Sequence, residues 1–218
     1  MDWISVTSLA LVDAINPCTL AIQIILLSSL LATKGRKSVL IGGILFSLSI
    51  YAMYFLYGVG ILTFLYVLGI DWIIRYILKI LLIVLAFFEI LAYVRYKPGM
   101  VSMEMPLKLR PIAKKILSSV ENPLIAIPAA ILCSVLLLPC SSGPYAVMLM
   151  MIKTLNNFFL QTVAMIYYNF LFIIPMLLIT FLIYFGTKPK KVMEWRNKHI
   201  KEIHLISGIL LLLVFFLV

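Results

Sequence analysis

DAINPCTLAIQ, residues 13 to 23, places an acid, an amide, a proline and a cysteine inside a run that is otherwise apolar. LLLPCSSGPYAV, residues 136 to 147, repeats the Pro-Cys pair at Cys140. Proline has no backbone N–H, so it withholds the helical hydrogen bond from the carbonyl four residues back. Pro17 leaves the carbonyl of Asp13 without that bond, Pro139 that of Val135, and Pro144 that of Cys140 itself. Freed backbone at membrane depth needs protein or water partners. Both cysteines are therefore expected at helix breaks that line a cavity. NPC also fits a helix restart, with Asn16 as N-cap, Pro17 in the first position and Cys18 just after.

The surroundings fix the class. The chain has 218 residues, 64% of them apolar, with a mean hydropathy of +1.16. Average soluble domains are roughly 45–50% apolar. The apolar runs approach the ~20 residues that cross a bilayer, so an integral membrane protein is expected. The N-terminal stretch has neither a basic start nor a small-residue cleavage site, and is not read as a removed signal peptide. Six spans account for the pattern: about 4–32, 39–68, 72–96, 123–152, 157–186 and 201–218. Pro111 can open a short surface helix in the loop after the third span. Trp195, in the loop after the fifth, suits the headgroup level. No soluble second domain fits.

Charge orients the spans. Fifteen of the 18 Lys and Arg fall in three loops, after spans one, three and five. Arg75, Lys79 and Lys153 lie toward the other side. The positive-inside rule then puts both termini outside the cytoplasm of a multi-pass cell-membrane protein. The net charge of +10 reads as topology and contact with membrane lipid. The basic residues flank spans instead of forming a folded patch, so no nucleic-acid partner is expected.

Cys18 and Cys140 are 122 residues apart, and the same shift carries the end of span three onto the end of span six. Each half is three spans with its Pro-Cys in the middle of the first. Three is odd, so the second half enters from the opposite side. The expected fold is an all-α polytopic membrane protein: six transmembrane helices, an inverted repeat of two three-helix halves, and proline-broken helices 1 and 4. The repeats are 1–96 and 123–218, with 97–122 a cytoplasmic loop between them. Transporters with this plan hold their site near the midplane.

Composition alone gives ~0.14 Pro-Cys dipeptides in a chain with three Cys and ten Pro. Two, at matching span positions, point to one redox site. A lone membrane cysteine fills a packing gap, and Cys133, which lacks the proline, keeps that reading. The thiolate is the species that attacks a disulfide, and apolar burial opposes it. A helix N-terminus favours it through unpaired N–H groups. Cys18 and Cys140 are thus the expected exchange pair, and Asn16, Pro17, Pro139 and Pro144 the hinge and support residues.

With NPCT in the first span and LPCSSGP in the fourth, the chain resembles the CcdA family of cytochrome c biogenesis proteins, and the similar transmembrane domain of DsbD, over essentially all six spans. Relatives often carry another proline three residues after the first cysteine, where this chain has Ala21. The resemblance implies a thiol-disulfide relay supporting cytochrome c maturation. Cytoplasmic thioredoxin would reduce the intramembrane pair, and the pair would reduce an extracytoplasmic thioredoxin-like protein. No cofactor is expected.

Other residues carry weaker signals. Asp13, one turn before Pro17, is expected to bond the broken backbone, the alternative being a proton acceptor. Glu89 is read either as a proton-handling group or as reaching the inner surface. Asp71, Arg75 and Lys79 have the spacing of an interfacial ion ladder. Asn169 and Pro175 point to a flexible fifth span. Gly42, Gly43, Gly58 and Gly60 are expected to permit close packing. His199 and His204 are expected at a basic interface and, without spaced cysteines, do not make a metal site. There is no Rossmann fingerprint, Walker A loop or haem-attachment CxxCH. Two rival classes are a small-solute or ion exporter with incidental cysteines, and a quinone-coupled disulfide oxidase, which would need a CxxC absent here.

Overall fold

Apart from the stretch between the fourth and fifth, the helices follow one another with short connections. The structure, a computed structural model, describes residues 3–68, 71–95, 108–155 and 157–217, without the side chains of 68, 71–75 and 139. The helices are α1 Trp3–Ala14, α2 Pro17–Lys34, α3 Arg36–Leu68, α4 Asp71–Val94, α5 Arg110–Ser118, α6 Ala126–Lys153, α7 Phe158–Tyr184, α8 Pro189–Lys198 and α9 Ile200–Leu217. A 3-10 turn over Pro123–Ile125 leads into α6. No strand occurs among the described residues.

Within α2, α3, α4, α7 and α9 lie five stretches long and apolar enough to cross a bilayer. A sixth span results if Pro123–Leu138 and Cys140–Lys153, bent by 78° at their junction, count as one. The first expected span, 4–32, divides at Ile15 and Asn16, at the break expected before Pro17, and α2 alone has a membrane span's length. The cause is Pro17, which cannot continue the ladder of α1. Large apolar side chains point outward, among them Leu56, Phe64, Ile80, Phe170, Leu182 and Phe216. A soluble monomer does not tolerate so wide an apolar surface; a multi-pass membrane protein requires it.

The buried apolar side chains form two cores. One gathers α2, α3, α5, α6 and α7, and includes Cys18, Cys133 and Cys140. The other gathers α1, α3, α4, α6, α7 and α9. α3 packs along α7, and α4 along α9. Small residues set these approaches. A Cβ at Gly43 would collide with Thr180 of α7, and one at Gly208 would meet Ile90 at 2.8 Å. Gly42 and Gly58 are equally hemmed in, by Leu30 and by Tyr145 with Met165. Gly60 departs from the expectation: nothing lies within 4 Å of a Cβ there. Gly35 has φ +77° in the turn from α2 to α3, a conformation that other L-residues rarely adopt.

α5 and α8 lie against α2. Pro111 sits in the first turn of α5, which buries Ala113 and Leu117 and exposes Lys114 and Lys115. α8 exposes Lys190, Lys191 and Trp195. Of the expected loop 97–122, residues 97–107 lie outside the described residues, as do the side chains of Asp71 and Arg75 in the expected ladder.

Candidate thiol site

The break between α1 and α2 is built by three consecutive residues. Pro17 takes the first helical position and has no N–H for the Asp13 carbonyl; that carbonyl accepts instead from Asn16 N at 3.2 Å. Asn16 caps α2 with its own side chain, Oδ1 accepting from Cys18 N at 2.9 Å. Cys18 therefore stands in the first turn of a helix, with its backbone N–H aimed at the cap.

The second break is a bend. α6 turns by 78° between Leu138 and Cys140, where Pro139 stands. Beyond it α6 runs through Pro144 without interruption. Pro144 has no N–H for the Cys140 carbonyl, and the missing donor comes from the other half of the chain: Asn16 Nδ2 donates to Cys140 O at 2.8 Å. One amide thus caps the helix of one cysteine and satisfies the carbonyl of the other. The Cys18 and Cys140 side chains interact directly, and Cys140 Sγ also donates to Leu137 O at 3.0 Å. No disulfide joins the three cysteines, and all of them are buried. Cys133 lies seven residues before Cys140 in the same apolar core, and no proline precedes it.

Cys18 borders a cavity of about 240 Å³ between α2, α5 and α8, rimmed by Arg110, Lys114, Arg196 and Asn197. Arg196 reaches in from α8, its Nε donating to Pro17 O at 2.7 Å. A second cavity, about 330 Å³, runs along Leu20 and Ile24 beneath Trp195 and Arg196. The helix that starts at the break is thus flanked by space on the side of the two basic amphipathic helices. Arg196 entered the sequence reading only as a loop charge. Nothing in its neighbours marks the contact with Pro17, 179 positions away.

Next to Cys140 lies a polar group drawn from four helices. Asp13 is fully buried at the end of α1. Its Oδ2 accepts from Tyr168 OH at 3.2 Å, and Ser141 lies beside it. This corrects the expectation that Asp13 bonds the broken backbone, because the Asn16 N–H already serves the Asp13 carbonyl. Tyr145 OH donates to Tyr54 O at 2.6 Å, and Asn169 is buried nearby within α7, which continues through Pro175. The sequence reading missed the tyrosines, which in an apolar span look like packing residues. It also missed Gln23, whose amide donates to Thr180 Oγ1 at 2.8 Å and ties α2 to α7. A glutamine in an apolar run is a signal that could have found it.

Glu89 is settled by its partner: Oε2 lies 2.7 Å from Nδ1 of His204, both buried, joining α4 to α9. His204 is therefore corrected from an interfacial residue to a buried one. His199 keeps partial exposure beside Trp195, Nδ1 at 2.8 Å from its carbonyl. Among the described residues no three His, Cys, Asp or Glu side chains gather as metal ligands would.

Comparison with known proteins gives no match to a family model, a curated protein or a solved structure.

Proposed function

We propose that the chain is a transmembrane thiol-disulfide relay in which Cys18 and Cys140 form the reversible exchange pair. It takes electrons from cytoplasmic thioredoxin and passes them to an extracytoplasmic thioredoxin-like protein, in support of cytochrome c maturation. The observation that carries this reading is the Asn16 amide, which binds Cys18 N and Cys140 O together while the two thiols face each other. Two packing cysteines have no need of a shared polar anchor. A disulfide requires Cα atoms roughly 4.4–6.8 Å apart, and direct contact between the side chains suits that range.

The proposed architecture is six spans in two inverted halves. It is supported by the pairing of corresponding helices: α3 on α7, α4 on α9, and the broken α1–α2 against the bent α6. Both termini are placed outside the cytoplasm on the strength of the loop charges. Exchange proceeds through a mixed disulfide and needs contact, and a folded thioredoxin cannot enter the bilayer. The site must therefore open to each side in turn, with Pro17, Pro139 and Pro144 as hinges. The cavity leading to Cys18 between basic helices is the opening suited to the cytoplasmic side.

The experiment is trapping. With Cys133 replaced by Ala, single-cysteine variants at 18 and at 140 are mixed with reduced thioredoxin whose resolving cysteine is removed, after oxidation of the membrane thiol to an activated disulfide. At least one should yield a mixed disulfide, and the intact pair should cycle between dithiol and disulfide. A small-solute or ion exporter would show no thioredoxin-dependent change in thiol titre.

A further inference from the structure

Thiol exchange moves protons as well as electrons. The attacking thiol must lose a proton, and the leaving sulfur finally gains one. Deep in the bundle this proton needs an acceptor within the site. Asp13 is 0% exposed, and its Oδ1 finds no hydrogen-bond partner among the described residues. Ser141, which follows Cys140 in the chain, lies beside it with its buried hydroxyl also next to Tyr54, and that hydroxyl completes no short hydrogen bond. Tyr54 OH, beside Ser141, and the side-chain amide of Asn169, beside Tyr145, likewise complete no short hydrogen bond. A buried polar atom without a full hydrogen bond costs about 1–3 kcal/mol, so the Ser141 and Tyr54 hydroxyls gathered at one carboxyl call for exchangeable protons or ordered water.

The groups that face Asp13 are few. From α7 there is Tyr168, from α3 Tyr54, and from α6 Tyr145 and Cys140. α9 also packs on α1; of its titratable residues Lys201 and Glu202 are exposed and His204 is engaged with Glu89. Among the described residues, Asp13 is the carboxyl tied to Cys140, while Glu89 is held in its pair with His204.

We propose that Asp13 is the proton acceptor for the Cys140 thiol, reached through the Ser141 hydroxyl; this rests on the exchange reading above. In the resolving step the Cys140 S–H bond breaks and its proton passes to the Asp13 carboxylate. The Cys140 thiolate then attacks the Cys18 sulfur of a mixed disulfide with the outer partner. The Cys18–Cys140 bond forms, the bond from Cys18 to the partner breaks, and the partner leaves as a thiolate that takes the proton back. The pair is oxidised by two electrons and the partner's disulfide is reduced. Passing the proton from sulfur to carboxylate leaves the net charge of the site unchanged, which avoids creating an extra charge in a medium where charge is costly.

The test needs no protein partner. In the full-length chain carrying Cys18→Ala and Cys133→Ala, Cys140 is the single thiol, and its alkylation by N-ethylmaleimide is followed against pH. An internal acceptor gives a rate that levels off through the neutral range. Asp13→Asn should lower that rate by about 100-fold and make it rise tenfold per pH unit, whereas Asp13→Glu should keep the plateau. An unchanged profile in Asp13→Asn overturns the proposal. So does a loss in both variants that is parallel at every pH, since that marks a packing role. Failure of thioredoxin exchange alongside an Asp13-dependent plateau would sink the relay reading and leave the proton acceptor standing.

Discussion

The side-chain amide of Asn16 donates to the carbonyl of Cys140 at 2.8 Å, filling the place of the N–H that Pro144 lacks. The same side chain caps α2 at Cys18. Asn16→Ala removes both bonds at once. It should cost about 2–4 kcal/mol, from a lost cap and an orphaned carbonyl. Asn16→Asp keeps the cap and removes the donor, so it should still slow oxidation of the pair. Thermal unfolding in detergent and the rate of Cys18–Cys140 disulfide formation measure the two effects. An aspartate variant that matches the parent in both would show that the bond to Cys140 contributes nothing.

Arg196 fastens α8 to the break through Pro17 O. A hydrogen bond from a charged donor contributes about 1.5–3 kcal/mol. Arg196→Ala should therefore raise the labelling rate of Cys18 by a water-soluble maleimide by about tenfold or more. Arg196→Lys, a shorter point donor without the guanidinium fork, should fall between. Equal rates in all three would place the gate elsewhere.

Glu89 and His204 hold α4 to α9 at 2.7 Å. Removing one member leaves a buried polar group without its mate, so Glu89→Leu or His204→Leu alone should cost about 3–5 kcal/mol. The double variant should cost clearly less than the sum, because neither group is then stranded. Chemical unfolding of the four proteins forms the cycle; additive losses would mean that the pair does not act as a unit.

Two glycines of α3, two positions and therefore about 200° apart around the helix, predict opposite outcomes. A Cβ at Gly58 runs into Tyr145 and Met165, and one at Gly60 meets open space. Gly58→Ala should destabilise by about 1–3 kcal/mol. Gly60→Ala should be neutral or stabilise by about 0.5–1 kcal/mol, since alanine favours the helix. Melting temperatures of the two variants decide it.

The class of the fold was legible because oil and charge are distributed along the chain: long apolar runs, basic loops and prolines inside spans each have one physical meaning. The cap at Asn16 was legible for the same reason, since the residues that make it are adjacent. What stayed hidden depends on partners far off in sequence. The donor to Cys140 O comes from Asn16, the partner of Glu89 is His204, and Arg196 finds Pro17; no local pattern announces such meetings. Pro139 and Pro144 look alike in sequence, yet the bend falls at Pro139 and the helix runs on through Pro144. The difference lies in the Asn16 amide, which supplies at Cys140 what Pro144 withholds.

The bond from Asn16 to Cys140 also sets a schedule for biogenesis. The ribosome adds about 5–20 residues each second, so Cys140 follows Cys18 by roughly 6–24 s. Through that interval α2 has its cap, but its thiol has no neighbouring thiol and the far end of the Asn16 amide has no carbonyl. The first half enters the membrane as an unfinished socket, and Cys18 is available to oxidants and to stray thiols until the second half arrives.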